Sequence, residues 1–219
     1  MFKFDEAQLI DWTKGIRENP DMLNAFWPSQ IRSKIWLSDW VKSYLPSAKK
    51  IVIFGAWYGV LADILELKLK EPKILCNDID KDAMLWCARR HPIHIGRMEN
   101  FKYETRVDLV INTVTEHLTQ EEYDKWYDNV PKGTYFVIQG NNDFKEKDHV
   151  RACNSLTEFN VINKTENTLH TGSISYEGPW NEVENRPTYY ERYMTIGFKS
   201  EYNKCCLLYT SPSPRDVLR

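Results

Sequence analysis

Apolar residues along this chain change their period several times, and each change marks a predicted element. In residues 31–45 they fall at Ile31, Ile35, Trp36, Trp40, Val41, Tyr44 and Leu45, one face of a helix that stops at Pro46. The next run, Ile51-Val52-Ile53-Phe54, is continuously apolar, as expected of a strand covered on both faces, and Gly55 and Gly59 follow it directly. A helix over residues 60–69, a strand over 73–78 and a helix over 82–90 complete a βαβ unit. VDLVIN at 107–112 and TYFVIQ at 134–139 predict two more buried strands. Between them Thr119 and Glu122 form a T-x-x-E capping box that opens a helix to about Asn129. Beyond Asn141 the pattern predicts a short helix near Leu156 and strands at about 162–168 and 189–198. The alternation implies an α/β fold: a single doubly wound, mostly parallel sheet with helices on both faces and a C-terminal antiparallel strand pair.

Length and composition narrow the function classes. With 219 residues, 42% hydrophobic, the chain can bury one full core but hardly two, so residues 1–204 are expected to form one domain. A net charge of −2 and a pI near 6.2 argue against broad phosphate-backbone binding and favour a small-molecule or protein partner over nucleic acid. Five cysteines without a C-x-x-C pair read as thiols of a reducing compartment. No run approaches the roughly 20 apolar residues of a membrane span, and a cytoplasmic location is expected. Composition breaks after Lys204. Residues 205–219, CCLLYTSPSPRDVLR, carry no period, and Cys206 to Asp216 resembles a translated sequencing adapter, so this segment is expected to be a disordered, artefactual tail.

The chemistry-bearing signal is the turn after the first strand. A strand that runs through glycines into a helix places backbone N–H groups at the carboxyl edge of the sheet, where open α/β folds bind nucleotides. The spacing Gly55-Ala56-Trp57-Tyr58-Gly59 puts Trp57 where a pyrophosphate needs a bare backbone, so a dinucleotide fits badly. S-adenosylmethionine has no phosphate. Trp57 or Tyr58 offers an aromatic face to its sulfonium, and Asp78, 23 residues after Gly55, is placed to accept both ribose hydroxyls. The alternative is a glycine turn with two core aromatics and a solvated acid.

Together, IVIFGAWYGVLADIL, ILCNDIDKDAM and DLVINTVTEHL resemble, in order and spacing, the first, second-strand and fourth-strand motifs of class I S-adenosylmethionine-dependent methyltransferases. With FWPSQIRSKIWL and VIQGNNDF they are similar to methyltransferase-like proteins of marine tailed phages over about residues 1–199, which would place the protein in a host cytoplasm. The resemblance implies that Gly55 and Gly59 shape the methionine side of the pocket, Asp78 takes the ribose, Ile79 or Asp80 flanks adenine and Glu99 accepts from its amine. The chain departs from the family in lacking the middle glycine, and Ile53 or a neighbour replaces the acid that precedes the motif.

Methyl transfer to a protonated nucleophile needs positioning and sometimes a base. Asn112, Glu116 and His117 follow the fourth strand at the edge that faces such a cofactor and are the expected catalytic residues, Glu116 balancing the sulfonium or accepting a proton and His117 acting as a base; the alternative is that Glu-His-Leu only completes the turn before a capped helix. Phe26, Trp27, Gln30, Ser33, Lys34 and Trp36, with Gln139, Asn141 and Asn142 after the fifth strand, either line an acceptor pocket or pack the leading helix on the sheet. Asn112-Thr113-Val114-Thr115 lacks the Pro-Pro-aromatic run of amino-group DNA methyltransferases, and no Pro-Cys nucleophile follows that strand. His91, His94, His149 and His170 show no metal spacing, so no metal site is expected. Cofactor cleavage, aminocarboxypropyl transfer and a non-catalytic binding protein stay open beside methyl transfer; a nicotinamide dehydrogenase is disfavoured by the glycine spacing.

Overall fold

The computed structural model describes residues 6–181 and 185–200; the proposed tail at 205–219 lies outside the described residues. Helix α1 (Glu6–Glu18) and a 3-10 turn (Pro20–Phe26) lead into helix α2 (Pro28–Tyr44), which starts on Pro28 and ends just before Pro46. Strand β1 (Lys50–Phe54), helix α3 (Val60–Lys68), strand β2 (Lys73–Asp78) and helix α4 (Lys81–Cys87) then form the expected βαβ unit, followed by a short strand β3 (Ile93–Ile95). Strand β4 (Leu109–Asn112), helix α5 (Gln120–Asn129), strand β5 (Tyr135–Asn141), helix α6 (Leu156–Ile162) and strands β6 (Thr168–Asn181) and β7 (Arg186–Phe198) complete the described chain.

The seven strands lie in the order β3-β2-β1-β4-β5-β7-β6. Strands β1 to β5 pair in parallel, with Val52 opposite Leu75 on one side and Val110 on the other. Strand β7 runs antiparallel to both β5 and β6, with Val137 opposite Ile196 and Thr171 opposite Thr195. The order reverses between β1 and β4, and the carboxyl ends of those strands flank the crevice where doubly wound sheets bind ligands. Leu37 and Val41 of α2, Leu61 and Leu65 of α3 and Met84 of α4 cover one face of the sheet; Tyr123 and Trp126 of α5 and Phe159 of α6 cover the other.

The capping box at Thr119 forms as its spacing predicts: Thr119 Oγ1 accepts from the Glu122 amide while Glu122 Oε2 accepts from the Thr119 amide. Thr119→Ala is expected to cost about 0.5–2 kcal/mol of stability in a urea melt. A strand expected at 162–168 is instead the end of α6 and a turn, and β6 begins where it was expected to end. Ser155 accepts from the Glu158 amide and so starts α6, while β6 is an edge strand whose inward positions, half-buried His170, Gly172 and Ile174 and buried Tyr176, give no apolar run. Helix α1 and strand β3 also went unseen, one mostly polar and the other three residues long.

Candidate functional site

The turn between β1 and α3 holds three left-handed residues at alternate positions, Gly55 at φ 72°, Trp57 at φ 49° and Gly59 at φ 80°. Trp57 therefore takes a backbone conformation that usually falls to glycine, at a cost of about 1–2 kcal/mol. A Cβ on Gly55 would sit 2.5 Å from a Val114 methyl as well as at positive φ. Gly55→Ala is thus expected to destabilise the fold by about 1–3 kcal/mol in denaturant titrations.

Asp78 at the end of β2 ties this turn to its own. Its Oδ2 accepts from the Trp57 amide at 2.8 Å and its Oδ1 from the Asp80 amide at 3.0 Å, so each oxygen keeps a lone pair for a further donor. Asp80 caps α4 by accepting from the Ala83 amide. Ile79 beside it is 67% exposed and Ile95, opposite Asp78 on β3, is 42% exposed, which leaves apolar surface at this edge. Glu99 is buried, with Arg97 Nε donating to it at 2.5 Å. Tyr58 turns the other way: it is buried with Trp12 and Met22, and its hydroxyl accepts from Asn19. Of the two turn aromatics, Trp57 alone stays half-exposed.

Asn112 at the end of β4 is fully buried, accepting from the Val114 amide and donating to Met98 Sδ, so both ends of its amide shape the turn. Glu116 is buried as well. Asn141 Nδ2 donates to its Oε1 at 2.5 Å and Arg192 Nη1 at 3.1 Å, while Oε2 has no hydrogen-bond partner among the described residues. His117 is exposed, and its ring stands edge-on to His149 with centroids 4.7 Å apart.

Helix α2 lays its first turns over the ends of β5 and β7. Ser33 donates to Gln139 Oε1, leaving Gln139 Nε2 buried without a partner among the described residues. Lys34 donates to Gln30; burial first, and then the charge of Arg192, bring its amine down to about 7. Gln30, Lys34, Gln139 and Asn141 thus meet Arg192 and Glu116 at one edge. Trp27 is 56% exposed, Phe26 packs on Trp12, Trp36 lies against the sheet core, and Asn142 exchanges hydrogen bonds with Glu191 as a continuation of the β5–β7 ladder.

Sequence reasoning passed over Arg192, which a tyrosine-rich strand concealed, and the ionic group beneath the glycine turn. Asp63 of α3 is 1% exposed; it accepts from Trp12 Nε1 at 2.8 Å and Arg90 Nε at 3.0 Å and pairs with His91 Nε2 at 2.7 Å. Arg90 also reaches Asp11 and the Tyr58 carbonyl, so the group clamps α1, the turn and the end of α4 together. A lone acid inside the apolar run VLADIL was its signal. A pocket of about 310 Å³ lined by Glu66, Pro72, Lys73, Ile74, Leu75 and Pro92 opens at the amino end of β2, the opposite edge from Asp78, Glu116 and Arg192, and its Glu66 borders His91.

The fold matches solved structures of low sequence identity. The N-methyltransferase NodS from Bradyrhizobium japonicum WM9, in complex with S-adenosylhomocysteine, superposes at TM-score 0.59 and 12% identity over 85% of this chain and 98% of that one. The chain has the Rossmann-like fold of that methyltransferase. The plantazolicin methyltransferase BpumL, also in complex with S-adenosylhomocysteine, gives TM-score 0.50 at 11% identity over 85% of this chain and 94% of its own. TehB from Haemophilus influenzae gives 0.55 at 12% identity over 74% of this chain, which spans only 60% of the TehB chain. No family model and no curated protein matches the sequence. None of the described helices is long and apolar enough to cross a membrane.

Proposed function

We propose that this chain binds S-adenosylmethionine across the carboxyl ends of β1 and β2 and transfers its methyl group to a small-molecule or protein acceptor held over the ends of β4, β5 and β7. The observation that carries this reading is Asp78, whose carboxylate joins the left-handed turn to the end of β2 and keeps a lone pair on each oxygen. Two vicinal ribose hydroxyls are the donors that such a carboxylate suits. The rest of the edge fits the same molecule. Ile79 and Ile95 offer apolar cover to adenine, buried Glu99 supplies an acceptor for its amine, and Trp57 offers its face to a sulfonium. Gly55 and Gly59 give the turn the left-handed path that the methionine end would lie against, Val114 and Cys87 leaving no room for a side chain at either, while Tyr58 anchors the turn from behind through Asn19.

Displacement at an already activated methyl carbon asks mainly for alignment of nucleophile and leaving group. Gln30, Gln139, Asn141 and Arg192 supply polar groups that orient an acceptor, and Lys34, near neutrality in its proton affinity, can take the proton that an acceptor loses. Product analysis tests the reaction type. Incubation with methyl-labelled S-adenosylmethionine and a pool of candidate acceptors is expected to give S-adenosylhomocysteine and a labelled acceptor; methylthioadenosine as the product would show cleavage or aminocarboxypropyl transfer instead.

A further inference from the structure

Sequence spacing scatters the histidines, but the fold brings His149, from the loop after β5, to the turn that carries Glu116 and His117. One ligand atom from each of these three residues lies within 4.8 Å of the others. We propose that Glu116, His117 and His149 bind a divalent transition-metal ion. Three features prepare them for it. Asn141 and Arg192 occupy Oε1 of Glu116 and hold the carboxylate in place, leaving Oε2 buried without a partner among the described residues; a buried carboxylate oxygen left unpaired is costly unless something arrives to meet it. His149 Nδ1 lies 2.7 Å from the Asp143 carbonyl, so Nδ1 carries the proton and the lone pair rests on Nε2. Such an outer contact on the far ring nitrogen is the usual partner of a metal-bound imidazole. The edge-on meeting of His117 and His149 keeps both rings at the same spot.

Zinc binds imidazole at about 2.0–2.1 Å, so tetrahedral ligands stand about 3.4 Å apart. The ligand atoms exceed this spacing by at most about 1.4 Å, a gap that side-chain rotation at exposed His117 and half-buried His149 closes. Two imidazoles and one carboxylate favour zinc, cobalt, nickel, manganese or ferrous ion over magnesium or calcium, and three protein ligands leave coordination positions open. The ion would sit at the edge given above to the acceptor, where an open position suits an acceptor oxygen or nitrogen. That role rests on the proposed methyl transfer; the binding itself does not.

The test uses the tag-free full chain, freed of metal, titrated with zinc by calorimetry and with cobalt by visible absorption. One ion per chain is expected, with a cobalt spectrum that lacks thiolate charge-transfer bands. His149→Asn and His117→Asn, both outside the buried core, should keep the parent circular dichroism and each weaken zinc more than tenfold, the least that loss of a direct ligand implies when an outer partner alone is worth 10–100-fold. No zinc binding, equal affinity in both variants and parent, or a thiolate band pointing to cysteines would each overturn the site. Zinc binding that survives alongside failure to bind S-adenosylmethionine would uphold this site and reject the proposed function, and the reverse outcome would do the opposite.

Discussion

Asp63→Asn is expected to lower the unfolding free energy by about 3–5 kcal/mol, because it removes the one buried carboxylate that Arg90 and His91 share and leaves them only the more exposed Asp11 and Glu66. Arg90 and His91 converge on one carboxylate that is almost wholly buried, and Trp12 donates to its other oxygen. Such a loss is a large share of the 5–15 kcal/mol that typically holds a domain folded. Urea denaturation should show the midpoint falling with an unchanged slope; a shift worth under 1 kcal/mol would mean that the network contributes little. The same group gives stability a pH signature. Burial pushes Asp63 up, but hydrogen bonds from His91 and Arg90 outweigh it and hold the carboxyl below its ordinary 3.8. For His91 burial acts downward, yet bonds to Asp63 and Glu66 raise it from 6.5 to about 9. A depressed acid contributes stability above its unfolded pKa and loses it as pH falls through the folded value, and a raised base contributes below its unfolded pKa and loses it as pH rises through the folded one. The contribution should therefore be full between about pH 4 and 6.5 and fade towards pH 9, a fall that His91→Gln should flatten.

Asp78→Ala should weaken S-adenosylmethionine or S-adenosylhomocysteine by about 1.5–3 kcal/mol, roughly 10- to 150-fold, the scale of hydrogen bonds to a charged group. The variant also frees the Trp57 and Asp80 amides that Asp78 holds, so part of the loss comes through the turn. Asp78→Asn separates the two effects: it keeps one acceptor oxygen, so it should retain more of the fold stability than of the affinity. Parent-like affinity in both variants would remove Asp78 from the ribose role.

The alternating strands and helices were legible because buried parallel strands such as Ile51-Val52-Ile53-Phe54 are apolar without interruption, and because Thr119 and Glu122 mark a helix start with side-chain chemistry. Strand β6 was misplaced because an edge strand needs little apolar surface. At the candidate site, the juxtaposition of the Gly55–Gly59 turn with Asp78 followed from spacing along contiguous elements. Trp57 looked like an interruption of the motif, whereas the backbone holds it in the left-handed region between two left-handed glycines. What stayed hidden depends on partners far apart in sequence: Asp63 with Arg90 and His91, Glu116 with Arg192, and His149 with His117, which no local period encodes.

Calorimetric titration of the full chain with S-adenosylhomocysteine, with NAD as the control, tests the central claim most directly. Saturable binding at one site per chain, weakened in Asp78→Ala and matched by no heat from NAD, is the predicted result. A folded chain that takes up no S-adenosylhomocysteine, or that binds NAD in its place, would contradict it.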